Sequence, residues 1–179
     1  MTLVTPVLGV EARRHSIDTF DDSYVMSMNA TSAGAWPAAN LAVYVPIRVA
    51  VRVVVRQLWL ASEATGTGNV DVGLYNQAGT RLVSAGSTAK IAATNEQIFN
   101  VTDTTTGPGL YYWALSCSNS TDTFNRAAPV APIPAALGVL TESLGSVTLP
   151  ATATWVVNQT LAYVPMGGVL LETVAACAS

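Results

Sequence analysis

The clearest alternation of apolar and polar positions lies between residues 69 and 85. Val70, Val72 and Leu74 alternate with polar or small residues, which is the period of two that is typical of a strand with one face on a core. Residues 76–79 then have the composition of a turn, with Gly79 free to adopt a positive φ. Because residues 80–85 continue as a second extended run, the pattern predicts a β-hairpin.

Two further strands are predicted before this hairpin. Residues 41–49 place Val43, Val45 and Ile47 on one face, and Pro46 indicates that this strand lies at an edge or is bulged there. Residues 51–61 fit a strand, but the spacing of Arg48, Arg52 and Arg56 also fits one face of a helix. The run of valines favours a strand. A bulge near Arg56 would bring the apolar residues that follow it back into phase.

The rest of the chain also favours short strands. We predict strands at 97–102, 110–118 and 167–174, a turn at 103–109 and short extended pieces at 154–157 and 161–164. The strand 110–118 has two apolar faces, which is typical of a central strand. Residues 119–134 are predicted to form a long loop. The predicted fold is therefore all-β, an antiparallel jelly-roll-like β-sandwich over residues 36–179.

Residues 1–35 have no sustained periodicity and are predicted to form an extended N-terminal arm. Ordering such an arm costs conformational entropy with little core to gain, so we expect it to pack on a neighbouring subunit or another protein. Six arm residues are candidates for that anchoring contact, four apolar and two basic: Leu3, Val4, Val7, Leu8, Arg13 and Arg14.

Composition narrows the classes of partner. Half of the 179 residues are hydrophobic and only 11% are charged, against about 25% in a typical soluble domain. A surface so poor in charge indicates that much of it is covered by other copies of the chain. With a single lysine and dispersed arginines there is no basic patch, so no nucleic-acid partner is expected. Since Pro46 and three arginines interrupt the most apolar stretch, residues 41–61, no membrane span is expected either.

Residues for metal or nucleophilic chemistry are scarce. His15 is the only histidine, which excludes the usual sites that need several imidazoles. A catalytic triad would have to use the same residue. Cys117 and Cys177 lack basic neighbours in sequence and are interpreted as reduced thiols. We therefore expect no enzymatic activity, metal or other cofactor.

One carboxylate and a few aromatic residues remain as candidates for binding. Asp71 lies in the middle of a predicted strand; it could be a catalytic or sugar-binding group, but a cross-strand ion pair with Arg56 or Arg81 is favoured. Trp36 and Tyr75, with the 119–134 loop, are candidates for an exposed platform on which a glycan ring could stack.

Several segments resemble a family of virion proteins of tailed bacteriophages, usually described as minor structural, tail, head-fibre or decoration proteins. The resemblance covers residues 36–172 and is carried by WPAAN (36–40), VYVPI (43–47), GNVDVGLY (68–75), GTRLVS (79–84), PGLYY (108–112) and LPATAT (149–154). It implies a non-enzymatic structural protein made in the bacterial cytoplasm and located in the virion. A homotrimer bound to capsid or tail proteins is expected, with a receptor-recognition module for host surface glycans as the alternative. The family has no catalytic residues to transfer.

Overall fold

The computed structural model describes residues 13–15 and 31–173, which are almost entirely β-structure. The described residues also contain a single turn of helix, α1 (Ile133–Ala136). In chain order the strands are β1 (Arg13–His15), β2 (Thr31–Ala35), β3 (Leu41–Val49), β4 (Val53–Ser62), β5 (Asn69–Asn76), β6 (Arg81–Ser84), β7 (Thr88–Ala89), β8 (Asn95–Thr106), β9 (Gly109–Cys117), β10 (Thr123–Ala127), β11 (Leu140–Ser143), β12 (Val156–Val157), β13 (Val164–Pro165) and β14 (Gly167–Thr173).

The strands form two antiparallel sheets. The first has the order β1–β14–β4–β10–β13, with β2 also paired to β10 and β8 to β4; the second has the order β12–β11–β3–β9–β5–β6, with β7 also paired to β5. The chain changes sheet repeatedly, as in β3 to β4 to β5. Inward side chains of both sheets, such as Val55 and Leu58 of the first and Val45 and Trp113 of the second, share one core. This arrangement agrees with the predicted all-β sandwich.

The predicted hairpin and the strand 41–49 are both confirmed. β5 and β6 pair antiparallel across the predicted turn, and β3 has the predicted bounds and core face. Pro46 pairs with Tyr112 of β9 on one side, whereas β11 reaches only as far as Tyr44 on the other. The strand is therefore a local edge at Pro46, where the missing N–H of proline removes no ladder bond.

The predicted bulge in β4 is confirmed at Arg56. Pairing with β8 steps from Val55 to Gln57, and pairing with β14 skips the same residue. Because one extra residue reverses the side on which later side chains point, Val55 before the bulge and Leu58 after it both enter the core.

Two sequence predictions were wrong. The turn predicted at 103–109 is shorter, because β8 continues to Thr106 and pairs with the valines of β4. The loop predicted at 119–134 contains β10, whose Phe124 is buried. Of the predicted arm, residues 13–15 pair with β14 and residues 31–35 pair with β10, so both stretches lie in the first sheet.

The two sheets approach each other closely at Gly167. A β-carbon there would overlap the indole ring of Trp113 and lie 2.7 Å from the carbonyl oxygen of Trp59. We expect Gly167→Ala to lower the free energy of unfolding by about 1–3 kcal/mol, the usual cost of overpacking a core, as measured by denaturant titration. Gly145→Ala is the matched control, because nothing lies within 4 Å of its added carbon. Equal effects of the two substitutions would contradict this account.

Candidate functional site

The outer face of the second sheet, which points away from the shared core, is also apolar. Strand alternation sends Tyr44 of β3, Tyr75 of β5 and Ala114 of β9 to this face, where they form a second cluster with Leu149. Residues 144–155, called the covering segment here, supply Leu149 and Trp155 and lie over the sheet. The second sheet is therefore buried on both faces along its central strands.

Four rings form an aromatic cluster on this face: Tyr44, Tyr75, Tyr112 and Trp155. The centroid of Trp155 lies 4.6 Å from that of Tyr112 and 5.4 Å from that of Tyr44, and Tyr44 packs edge-on to Tyr75 at 5.2 Å. Tyr44 and Tyr75 are fully buried, whereas Tyr112 and Trp155 are partly exposed. The cluster thus has two partly exposed rings backed by two buried ones, and the partly exposed rings are the ones that an apolar or ring-shaped ligand could contact.

Hydrogen bonds hold the covering segment against the sheet. Glu142 accepts one bond from the hydroxyl of Tyr44 (2.7 Å) and another from the hydroxyl of Thr154 (2.6 Å). The hydroxyl of Tyr75 donates to the carbonyl oxygen of Pro150 at 2.6 Å. Burial raises the pKa of both tyrosine hydroxyls well above its ordinary value, so both remain protonated donors.

Both backbone groups of Leu149 are bound by side chains of the sheet. The carboxylate Oδ2 of Asp71 accepts the N–H of Leu149 at 2.9 Å, and Nη1 of Arg81 donates to its carbonyl oxygen. Ser116 donates to the carbonyl oxygen of Val147 nearby. These contacts correct the favoured interpretation of Asp71 from the sequence, a direct ion pair with Arg56 or Arg81. Asp71 and Arg81 bind the N–H and the carbonyl oxygen of Leu149 rather than each other. Arg56 instead pairs with Asp103 at 3.1 Å.

Asp71 is an incompletely satisfied buried acid. It is fully buried, and its Oδ1 atom has no hydrogen-bond partner among the described residues. Burial raises the pKa of this carboxyl above its ordinary value of 3.8, although the Leu149 N–H and the Arg81 charge act in the opposite direction. A charged carboxylate here costs free energy because the backbone N–H groups and the Arg81 charge only partly offset its removal from water.

A second polar site, at one end of the sandwich, was missed by sequence reasoning. Lys90 is buried, and its ammonium group donates to the hydroxyl of Ser62 (2.7 Å) and to the carbonyl oxygens of Glu63 (2.9 Å), Thr65 (2.8 Å) and Ile91 (2.9 Å). Burial lowers the pKa of this amine. The only signal in the sequence is that the single lysine of the chain stands between two apolar residues.

Asp122 supports the same end of the sandwich. Its carboxylate accepts the N–H groups of Thr67 (2.9 Å) and Gly68 (3.1 Å), and these bonds hold the pKa of the buried carboxyl below its ordinary value despite desolvation. Lys90 and Asp122 thus fix the loop between β4 and β5 through its backbone. Because the donors of Lys90 are directed at protein oxygens, we interpret this site as structural.

The two residues predicted to bind glycans do not form an exposed platform. Trp36 is 1% exposed, donates from Nε1 to the carbonyl oxygen of Leu41 at 3.0 Å, and packs edge-on against Phe124 and Tyr163. Tyr75 is fully buried beneath the covering segment. Neither ring can receive a sugar, because each is buried and packs against protein. The partly exposed rings of the aromatic cluster are Tyr112 and Trp155 instead.

The predicted anchoring residues are only partly described. Leu3, Val4, Val7 and Leu8 lie outside the described residues, as does Cys177. Arg13 and Arg14 lie in β1, opposite Leu171 and Leu170 of β14. The two arginines therefore lie in the strand next to β14 in the first sheet.

The described residues do not bring together groups for metal or thiol chemistry. In the part of the chain that the structure describes, no group of three or more His, Cys, Asp or Glu residues could hold a metal ion. His15 lies in β1 opposite Val169. Cys117 is a buried free thiol, as expected, and burial raises its pKa to about 11. None of the described helices has the length and apolar character needed to cross a membrane.

Comparisons with protein-family models, with curated proteins and with solved structures found no match for the chain.

The raised pKa of Asp71 predicts a pH-dependent effect of Asp71→Asn. The folded protein binds the proton of this carboxyl more tightly than the unfolded chain does, so the residue's contribution to stability falls as pH rises through 3.8 toward the raised value. Asparagine keeps an oxygen for the Leu149 N–H and carries no charge. We expect the variant to unfold at higher denaturant concentration than wild type at pH 7, with a smaller gain at pH 3.5.

Asp103→Asn is the control for this experiment, because Asp103 is exposed and pairs with Arg56 at the surface. It should produce no gain at pH 7. A stability difference between Asp71→Asn and wild type that stays constant from pH 3.5 to pH 7 would contradict the interpretation of Asp71 as a buried, destabilising charge.

Proposed function

We propose that this chain is a non-enzymatic structural protein of a tailed-phage virion, either a capsid decoration or head-fibre protein or a tail-associated component. The supporting observation is where the phage-like segments fall in the fold. They occupy the entry to β3, then β3, β5, β6, the start of β9 and the covering segment. The resemblance therefore follows one contiguous unit, the second sheet with its covered outer face, rather than scattered turns.

The surface composition supports assembly as the mode of action. Only 11% of residues are charged, and large apolar side chains such as Val130 and Val156 are exposed. Burying an apolar surface of this kind against another protein surface is energetically favourable. We propose a homo-oligomer, a trimer by analogy with phage appendages, and the jelly-roll-like connectivity expected from the sequence belongs to the same proposal.

Anchoring to a capsid or tail protein is assigned to the N-terminal arm. The apolar residues Leu3, Val4, Val7 and Leu8 precede β1, which is already paired within the first sheet. A contact made by residues 1–12 would thus join the sandwich to another virion protein without disturbing either sheet. Neither a cofactor nor a nucleic acid is needed for this role.

The test is the association of the chain with purified phage particles. We expect cryo-electron microscopy of the particles to show a β-sandwich of this size on the capsid lattice or on the tail. Deletion of residues 1–12 leaves β1 and β2 intact, so the shortened chain should fold but be lost from the particles, as measured by mass spectrometry of purified virions.

Deletion of residues 174–179, which follow β14, is the control and should leave association unchanged. A chain that is absent from purified particles would contradict the virion assignment. A shortened chain that still copurifies with them would contradict only the anchoring role of the arm.

We propose recognition of host surface glycans as a second candidate function, favoured by the partly exposed Tyr112–Trp155 pair. Stacking on a sugar ring needs an aromatic side chain that solvent can reach, and among the four rings of the cluster only these two are partly exposed. The site proposed for this function therefore moves from Trp36 and Tyr75 to Tyr112 and Trp155.

The glycan candidate predicts binding to an array of bacterial surface polysaccharides. Tyr112→Ala and Trp155→Ala should each weaken that binding about tenfold, since losing about 60 Å² of apolar contact at ~25 cal/mol per Å² is worth ~1.5 kcal/mol. Tyr111→Ala is the control because Tyr111 faces the shared core. An array without hits, or an equal loss in the control, would contradict this candidate.

A further inference from the structure

The outward face of the second sheet continues past the aromatic cluster. Strand alternation places Pro46 of β3 and Leu110 of β9 on the same face as Tyr112, because the residues that alternate with them face the shared core. Pro46 is the partner of Tyr112 across the two strands. All three side chains are partly exposed, so Tyr112 and Trp155 border a further strip of apolar surface.

Arg48 lies at the end of this strip. It follows Pro46 by two residues in β3 and is the partner of Leu110 in β9, so it shares the outward face with Tyr112. Arg48 and Tyr112 are diagonal neighbours of an antiparallel pair, a relation that spans about 7–8 Å and is within reach of long and aromatic side chains. A cationic side chain therefore lies beside the partly exposed rings.

The charge of Arg48 is not neutralised within the part of the fold that the structure describes. Its side chain is exposed, and no hydrogen bond or ion pair joins it to another described residue. Two carboxylates share its face of the sheet. Glu142 is already bound by the hydroxyls of Tyr44 and Thr154, and Asp71 is buried beneath the covering segment. Arg48 can therefore pair with an anionic group from outside the fold.

We infer that the ligand of this site is an acidic glycan, in which a sugar ring contacts Tyr112 and Trp155 while a carboxylate or phosphate group pairs with Arg48. This ligand class rests on the glycan recognition proposed above and narrows it to one kind of polysaccharide. A guanidinium group binds either anion through two parallel N–H···O bonds. The apolar faces of the sugar ring suit the aromatic side chains next to it.

Charge and topology favour a glycan over a nucleic acid or an acidic peptide. The chain has a formal net charge of -3, whereas a nucleic acid carries a phosphate at every nucleotide and is held by several cations along its path. An extended peptide gains affinity by adding a strand to a free sheet edge, but β9 is paired on both sides, with β3 and β5. The site at Tyr112 therefore acts through side chains, which suits sugar rings with separate anionic groups.

The test is an array of bacterial surface polysaccharides on which each acidic polysaccharide is printed beside a neutralised copy of itself. Carboxylates are reduced to alcohols in one set of copies, and phosphate substituents are removed in the other, so the two sources of charge are distinguished. We expect the wild-type chain to bind the acidic forms about fivefold more tightly at low salt, the gain expected from one exposed charge pair. The difference should shrink as salt is added.

A substitution of Arg48 separates the charge from the aromatic contact. Arg48→Gln should weaken binding to the acidic forms about fivefold and leave binding to the neutralised copies unchanged, because it removes only the charge. Arg56→Gln is the matched control: Arg56 is also an exposed arginine, but it lies in β4 of the first sheet and pairs with Asp103. Both variants should keep the wild-type circular dichroism spectrum, since both side chains are exposed.

Hits among neutral polysaccharides only, or equal binding before and after neutralisation, would overturn the acidic class and leave the glycan candidate standing. An array without hits would overturn both. Equal losses in Arg48→Gln and Arg56→Gln would also overturn the inference, because they would indicate a general effect of net charge. So would a single-stranded oligonucleotide or an acidic peptide that binds more tightly than any polysaccharide. None of these outcomes bears on whether the chain is found in phage particles.

Discussion

The structure depends on one constraint, the need to bury both faces of the second sheet. Its inward face packs on the first sheet in the usual way of a sandwich. Its outward face carries Tyr44, Tyr75 and Ala114, which would form a large exposed apolar surface without the covering segment. The connection from β11 to β12 therefore acts as a third layer over part of the molecule, and its position determines where β12 and Trp155 lie.

The polar groups that hold this layer bind backbone rather than one another. Main-chain groups of residues 147–150 are hydrogen-bonded by four side chains of the sheet: Asp71, Arg81, Ser116 and Tyr75. Lys90 and Asp122 likewise form hydrogen bonds to main-chain groups of the loop after β4. Irregular segments cannot pair their own N–H and C=O groups as strands do. Buried side chains supply the missing partners, which explains why ionisable residues lie in an otherwise apolar protein.

The sequence predicted those parts of the fold in which apolar and polar residues alternate over a long enough stretch to show a period of two. The hairpin of β5 and β6, the strand β3 with Pro46 at a local edge, and the bulge at Arg56 all follow from period two and backbone chemistry. β10 has only five residues, too few for a period to appear beside the surrounding turn residues. Its place depends on pairing with β2, β4 and β13, which are far away in sequence.

The candidate sites were harder to predict because burial depends on what lies above a residue. Period two correctly sends Tyr75 to the outward face, yet nothing local shows that residues 144–155 cover that face. Trp155 lies in a stretch without regular alternation of apolar and polar residues, so its contact with Tyr112 could not be foreseen. Lys90 could not be recognised from a motif, because three of its four hydrogen-bond partners are main-chain oxygens, which any sequence provides.

The burial of Lys90 has a chemical consequence for the whole protein. It is the only lysine in the chain, and in the folded state its amine is enclosed by four oxygen ligands. Acylating reagents therefore find no lysine on the surface of the sandwich, and modification of residue 90 requires the loop between β4 and β5 to open. The rate at which Lys90 is modified therefore reports how often this end of the molecule opens. It is measured at a single residue and needs no introduced label.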